Sequence, residues 1–352
     1  MSKKSSGKGA RIALIALCVV LALILVVLVA GTVFLETTLN RINKNNSTSE
    51  ATLSSDQLAS LYQPDETEES GDESIPEMQP DDVTWPDFSG DLVGGDDHII
   101  NIMLIGQDRR NGQGRQRSDS MILCTFNTQK KTLTLTSFLR DTYVQIPGYK
   151  ANRLNVPYMI GGMELLDKTL EQNFGVQVDG NVEVDFNQYM DIIDLLGGVD
   201  IDLTQKEADY LNRRGNWGVD NDKSWTLTKG VNHLTGSQAL AYSRIRYLDS
   251  DFGRTNRQRN VLNALIKAYK DLPVSQMLSV LYEILPMITT DMTNSEIVNY
   301  AIELFPMLSS CTITSQHIPA DGAYTSQRVN GMAVLVPDLA KCQQILAESI
   351  GD

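Results

Sequence analysis

The chain has 352 residues, 42% of them apolar and 21% charged, with 44 acidic against 30 basic side chains and a formal net charge of -14. No basic domain stands out, which disfavours a nucleic-acid binder held by phosphate contacts. The acidity is local: residues 1–35 carry four bases and no acid, 36–97 carry 16 acids and two bases, and 98–352 carry 28 acids and 24 bases.

Residues 1–11 form a short basic tail with Lys3, Lys4, Lys8 and Arg11. From Ile12 to Leu35 no charge occurs. As a helix that run spans roughly 36 Å, enough to cross a hydrocarbon core of about 30 Å. A cleaved signal peptide has an apolar region of only about 7–15 residues, and Leu28 is large where a small residue is wanted before Ala30. We therefore read 12–35 as an uncleaved transmembrane helix. Bases before it and acids after it place the N-terminus in the cytoplasm and the rest outside the cell. Residues 36–97, with DETEESGDES at 65–74, contain too few apolar side chains to offset ordering entropy and are expected as a largely disordered, self-repelling stalk.

The remaining body, 98–352, is long enough to bury a full core. IINIMLI at 99–105, MILCTF at 121–126 and the alternating TLTLTSF at 132–138 predict a three-stranded meander. Antiparallel pairing of consecutive strands brings the end of the first, the start of the second and the end of the third to one sheet edge. Asp108, Asp119 and Arg140 occupy those places. A glycine-rich loop (Gly106, Gly112, Gly114) bearing Arg109, Arg110, Arg115 and Arg117 lies between the first two strands. Two carboxylates and guanidinium forks together suit a metal-bound polyphosphate.

Downstream, helices are predicted over 157–173 and 188–196 and strands over 182–186 and 199–203, with Gly197-Gly198 as a helix stop. This is α/β alternation. A polar loop at 212–225 precedes a helix at about 235–243. The segment RIRYLDSDFGRTNRQR then holds Arg244, Arg246, Arg254, Arg257 and Arg259 with Asp249 and Asp251. Arg254 and Gln258, four apart, share a face at the start of the next helix. Arginines on a helix are commonly solvated or paired, and loop aspartates commonly cap or turn the chain, so these groups carry weight only together. The cysteines (Cys18, Cys124, Cys311, Cys342) show no CxxC spacing, which excludes a zinc or thioredoxin-like motif. Cys311 and Cys342 fall on the oxidising side, where a disulfide and two separate thiols both stay open. His98, His233 and His317 have no metal-ligand spacing, and no nucleophile elbow occurs.

From about 99 to 260 the chain resembles the LytR-CpsA-Psr family of cell-wall glycopolymer ligases of Gram-positive bacteria. The resemblance rests on NIMLIGQDRR, RSDSMIL at 117–123, FLRDTYVQIPG at 138–148, RLNVPYMIGG at 153–162, LLGGVDIDL at 195–203, LTGSQALAYSRIR at 234–246 and DFGRTNRQR at 251–259, in that order. It implies an α-β-α sandwich with a central mixed β-sheet, and an apolar cavity between sheet and helices that holds a polyprenyl tail. The implied activity moves a glycan-1-phosphate (teichoic acid, capsule or a related glycopolymer) from an undecaprenyl-pyrophosphate carrier to peptidoglycan. The acceptor is the 6-hydroxyl of N-acetylmuramic acid, and undecaprenyl phosphate is released. By the same resemblance Asp108 and Asp119 hold Mg2+, or Mn2+ in its place. Arg117, Arg140, Arg244, Arg246 and Arg254 surround the pyrophosphate, with Asp251 and Gln258 at polar positions of the same site. Asp108, Asp119 and Asp251 are candidate bases, unranked.

Leu139 stands where many members have proline, and Pro157 where alanine is frequent; neither removes a charged ligand. The implied partners are the lipid-linked glycan, peptidoglycan and the cytoplasmic membrane, with no nucleic acid. Two rival readings are a magnesium-dependent pyrophosphatase or phosphatase, with water as acceptor, and a non-enzymatic transcriptional attenuator. The second would need a DNA-binding part, and only about 11 residues precede the span, too few to fold.

Overall fold

The computed structural model describes residues 35–44, 53–63, 75–85, 92–107, 109, 114–213, 225–246, 248–249, 251–308 and 310–350. The expected membrane span lies outside these residues apart from Leu35. Among the described residues no helix is long and apolar enough to cross a membrane.

Three pieces of the interval expected as a disordered stalk instead pack on the body. Residues 35–39 are helical and lead to β1 (Asn43–Lys44), which pairs in parallel with Thr289–Thr290. Leu39 and Ile42 are buried against Leu285. Next comes α1 (Ser55–Ser60), begun by a capping box between Ser54 and Gln57; Leu61 just after it enters the main core. The third piece holds β2 (Glu77–Met78), with Val83 buried beyond it. Low average hydrophobicity does not prevent docking, because each isolated apolar residue finds its own recess. The acidic run 65–74 lies outside the described residues.

The meander follows as β3 (Ile99–Gln107), β4 (Ser118–Asn127) and β5 (Thr132–Phe138). A small hairpin, β6 (Tyr143–Val144) with β7 (Asn152–Arg153), leads into α2 (Val156–Phe174). Then come β8 (Gly180–Asp185), α3 (Phe186–Leu195), β9 (Val199–Leu203), α4 (Gln205–Arg213), β10 (Gly230–Leu234) and α5 (Gly236–Ser243). The chain continues through α6 (Asp251–Lys270), α7 (Val274–Ile284), β11 (Thr289–Thr290), α8 (Asn294–Leu308) and β12 (Thr312–Ile318). It closes with β13 (Tyr324–Val329), β14 (Met332–Pro337) and α9 (Leu339–Ile350).

The central sheet runs β1-β11-β8-β3-β4-β5-β12. It is mixed: β3 with β8 and β5 with β12 pair in parallel, while β3-β4 and β4-β5 are antiparallel. Alternation sends Met103, Ile105, Met121 and Leu123 to one face, against Met163, Leu166 and Leu170 of α2 and Leu346 of α9. Ile100, Ile102, Ile122 and Cys124 point to the other face, toward Leu262 and Ile266 of α6 and Leu304 of α8. The result is an α-β-α sandwich. A satellite core joins α3, β9, α4, β10, α5 and the start of α6 around Ile193, Ile201, Leu211 and Tyr242.

The predicted glycine stop is where α3 ends. Gly197 and Gly198 have φ of 87° and 105°, a region that costs L side chains and not glycine. Cys124, Cys311 and Cys342 are free thiols, so the two alternatives for Cys311 and Cys342 resolve as separate thiols.

Burial of Leu39 and Ile42 contributes roughly 1.5–3 kcal/mol each. The double variant Leu39→Ala/Ile42→Ala should lower the urea midpoint measurably without changing the slope; an unchanged midpoint would show that 35–44 is a mere tether. A second prediction concerns Asp167 of α2, which accepts from Asn181 Nδ2 at 2.8 Å. Burial, with Asp291 and Glu164 nearby and opposed by the Asn181 bond, pushes its carboxyl up to about 8. The folded state thus keeps a proton that the unfolded chain loses above its ordinary value of about 3.9. Stability from this group is present at acid pH and lost as pH rises toward 8. Denaturant midpoints of Asp167→Asn should gain on wild type between pH 5 and pH 8; parallel curves would rule out the buried proton.

Candidate active site

A cavity of about 530 Å³ lies between the sheet and the satellite lobe. Its walls are apolar: Leu104, Ile122, Val182 and Val184 from the sheet, Ile192 from α3, Leu240 from α5, and Leu262 and Leu265 from α6. One region of the lining is polar, formed by Asp119, Ser120, Arg244, Arg246, Arg254 and Gln258.

Local sequence explains each placement. Gly106 pairs with Ser120 and Gln107 with Ser118, so Asp119 is the extra residue of a bulge; bulges re-aim side chains at sheet ends. Arg140 follows β5 and donates through Nη1 to Asp119 Oδ1 at 2.6 Å. Arg246 Nη2 lies 3.9 Å from the same oxygen. Arg244 is the C-cap of α5, with its guanidinium 4.7 Å from the centre of the Phe186 ring. Arg254, buried in the first turn of α6, holds Asp251 Oδ1 at 2.7 Å through Nη2, and Ser120 Oγ donates to Gln258 Oε1 at 3.1 Å.

The charges are strongly coupled. Burial pushes the Asp119 carboxyl up, but Arg140, Arg254 and Arg246 outweigh it and hold it below the usual range. Burial, with Arg140 and Arg246 nearby, brings Arg254 down to about 10 although Asp251 opposes the change. Asp251 moves up, through burial and then Asp141, against the pull of Arg254 and Arg140. Arg140 moves up because Asp141, Asp119 and Asp251 exceed its desolvation.

Of the residues expected from sequence, the structure therefore links Asp119, Arg140, Arg246, Asp251 and Arg254, and sets Arg244 and Gln258 on the same cavity. Arg117 is half-buried, just ahead of β4. Asp108 lies outside the described residues. Arg257 and Arg259, part of the same arginine-rich run, turn elsewhere. Arg257 is buried between Glu207 at 2.7 Å and Asp249 at 2.6 Å, and Arg259 donates to Ser137 Oγ at 2.7 Å. Arg115 is tied back to α2, donating to the Met159 and Ile160 carbonyls. It fills the space beside Gly162, where a side chain would collide with it.

Sequence reasoning missed Asp141, whose Oδ2 lies 3.5 Å from Arg140 Nε and whose Oδ1 lies 3.9 Å from Arg153 Nη1. It also missed buried Glu183, which accepts from Gln107 and Tyr158 and lies 3.6 Å from Arg109. The available signal was a polar residue inside an apolar strand, Gln107 in β3 and Glu183 in β8.

The donor set fits a hard cation only in part. Among the described residues no group of three metal-ligating side chains occurs. Asp119 makes both of its guanidinium contacts through Oδ1. A magnesium ion takes one or two carboxylates and completes its shell with phosphate oxygens and water, so these residues fit a metal that arrives with a phosphorylated ligand.

Comparison with known proteins places the chain in a family. Residues 59–350 match the LytR_cpsA_psr family, and the chain belongs to that family. The polyisoprenyl-teichoic acid–peptidoglycan teichoic acid transferase TagU of Bacillus mycoides is 32% identical over 255 residues, 69% of this chain and 75% of that protein. TagT of Bacillus subtilis is 34% identical over 177 residues, 49% of this chain and 53% of its own length. The crystal structure of B. subtilis TagT superposes with a TM-score of 0.58 at 26% identity, covering 73% of this chain and 92% of that one. A TagT structure with bound octaprenyl pyrophosphate lipid gives 0.55 at 25% identity, with 75% and 95% covered.

Arg244 and Arg246 are two apart where helix gives way to loop, and both line the cavity. Losing a charged hydrogen bond costs about 1.5–3 kcal/mol, or roughly ten- to hundred-fold in affinity. Arg244→Ala and Arg246→Ala should each weaken octaprenyl pyrophosphate binding by that factor, and the lysine variants should restore only part, since the planar fork is lost. Normal binding by both alanine variants would place the pyrophosphate elsewhere.

Proposed function

We propose that the protein is a membrane-anchored transferase that moves a glycan-1-phosphate from a polyprenyl-pyrophosphate carrier to a peptidoglycan hydroxyl, the 6-hydroxyl of N-acetylmuramic acid. One observation carries the reading: an apolar cavity of about 530 Å³ whose polar lining includes three arginines, Arg244, Arg246 and Arg254. That combination matches an amphiphile with a hydrocarbon tail and a diphosphate head.

The placement of the N-terminal residues supports anchoring. Asn43 pairs its backbone N–H (3.2 Å) and its side-chain amide (3.2 Å) with the carbonyl of Ile288, a residue that lines the cavity. The chain emerging from the expected span at 12–35 therefore passes beside the cavity, a short path for a lipid leaving the outer leaflet. In this topology the N-terminus is cytoplasmic and the body extracellular.

In the reaction, the acceptor oxygen attacks the phosphorus that bears the sugar. The bond from that phosphorus to the bridging oxygen breaks, polyprenyl phosphate leaves, and the acceptor's proton passes to a base. Phosphoryl transfer asks for positioning and charge stabilisation more than for covalent chemistry. Arg244, Arg246 and Arg254 hold the diphosphate oxygens, Arg140 orients Asp119, and the apolar walls exclude water around the tail. Magnesium at Asp119, with Asp108 as second carboxylate, would neutralise charge developing on those oxygens. Of the two described candidate bases, Asp119 is the weaker, since three guanidiniums depress it, which leaves Asp251 to take the proton.

The test uses the full chain in detergent with a polyprenyl-pyrophosphate glycan, peptidoglycan oligomers and magnesium, with products read by mass spectrometry. The expected product is glycan joined to peptidoglycan through a phosphodiester. Asp119→Asn should abolish it, with folding checked by circular dichroism because loss of this counter-charge also lowers stability, and Asp251→Asn should lower kcat more than it raises the donor KM. Glycan phosphate released into solution instead would convert the reading to a phosphatase.

A further inference from the structure

Helix α7 (Val274–Ile284) is apolar in sequence, yet among its described side chains none is buried. Met277, Val280 and Ile284 are half-buried, and Leu281 and Tyr282 are 42% and 39% exposed. At 100° per residue Met277, Val280, Leu281 and Ile284 fall within about 100° of one another, while Gln276, Ser279 and Glu283 take the opposite side. By contrast α2 and α9 bury their apolar stripes in the main core. A helix patterned for burial but left without a core has its partner outside the folded chain.

The surroundings of α7 point to that partner. The expected span ends at Leu35, itself 43% exposed. A short way on, Arg41 donates through Nη1 to the Tyr282 carbonyl at 2.7 Å and stacks its guanidinium 3.7 Å from the centre of the Tyr282 ring. Asn43 Nδ2 donates to the Pro286 carbonyl at 2.9 Å. The C-terminal end of α7 is thereby fastened to the segment that follows the span. From Leu35 to Arg41 the chain rises roughly 9 Å if helical and reaches at most about 20 Å if extended. That keeps α7 close to the interface, where amphipathic helices sink their apolar side about 5–10 Å into the headgroup boundary. Tyrosine and arginine both suit this zone, since each has an apolar body and a polar tip.

We propose that α7 lies in the interface of the outer leaflet, with Leu281 and Tyr282 among the lipids, and sets the orientation of the body on the bilayer. The proposal rests on the anchored reading of residues 12–35. The contact is with the hydrocarbon boundary and not with an anionic surface, because the exposed charges around the helix mix signs: Lys267 and Lys270 with Asp271 and Glu283. Ile288, just beyond α7, lines the cavity. It immediately precedes β11, three strand spacings, or roughly 14 Å, from the strand β4 that carries Asp119. The lipid surface thus meets the apolar side of the cavity, and Asp119 with its guanidiniums lies farther in.

The experiment reconstitutes the full chain in vesicles of phosphatidylcholine, with and without phosphatidylglycerol, that contain a lipid bearing a photoactivatable diazirine on its acyl chain. Labelled peptides are mapped by mass spectrometry. Labels should fall on 276–284 to the same extent in both vesicles. None should fall around Val231 of β10, an apolar side chain that is 71% exposed on the satellite lobe. Leu281→Glu should melt as wild type does, lose the label, and take up octaprenyl pyrophosphate from vesicles about tenfold more slowly, with unchanged binding in detergent. Absence of label on 276–284 in a chain that resists alkaline carbonate extraction overturns the proposal and leaves the anchor standing. Equal labelling around Val231, or cross-links between two copies through α7 in place of lipid labels, also overturns it. A chain that carbonate strips from the vesicles, yet that was labelled on 276–284 beforehand, removes the anchor and keeps the lipid contact of α7.

Discussion

Crowded guanidiniums set the terms for the rest of this molecule. Arg140, Arg246 and Arg254 converge on Asp119, in a place where burial already raises the cost of each charge. Asp119, Asp141 and Asp251 are interleaved among them and keep the group from flying apart. The compensation is incomplete: among the described residues, Nε of Arg140 and of Arg254 is buried without a hydrogen-bond partner. An unmet buried donor costs about 1–3 kcal/mol.

Holding such a group requires a stiff frame, and the sheet supplies it. The bulge in β4 turns Asp119 toward the cavity, and the β5 end brings Arg140 to it from 21 residues away. On the other side, α6 is fastened by a guanidinium that never meets the cavity: Arg257 ties Glu207 of α4, Asp249 and the Ile245 carbonyl together. Removing either partner of such a buried pair leaves an uncompensated charge, so the loop carrying Arg244 and Arg246 is held by a neighbour of the site and not by the site itself.

How much of this was legible from sequence varied with the range of the interaction. Strand alternation placed the meander within three residues at its ends, and antiparallel pairing of its strands is enough to predict that Asp119 and Arg140 meet. β9 appeared over the residues expected, 199–203, because VDIDL has an unambiguous period of two. The fate of the five arginines at 244–259 was not legible. All five lie in one run with the same chemistry, and only the tertiary position of Glu207 and Ser137 separates Arg257 and Arg259 from the three on the cavity. Asp141 was hidden for the opposite reason: it adjoins Arg140 in sequence, and a neighbour at i+1 carries no periodic signal. The docked pieces of 36–97 were missed because composition averages over a segment, whereas Leu39, Ile42 and Leu61 act singly.

A transferase differs from a phosphatase with the same arginines in one respect, the competition between a sugar hydroxyl and water of far higher concentration. Guanidiniums that neutralise charge on a leaving phosphate do so equally for either nucleophile, so they contribute nothing to that choice. Discrimination has to come from groups that bind the acceptor and hold its oxygen near the phosphorus, where effective molarity replaces bulk concentration.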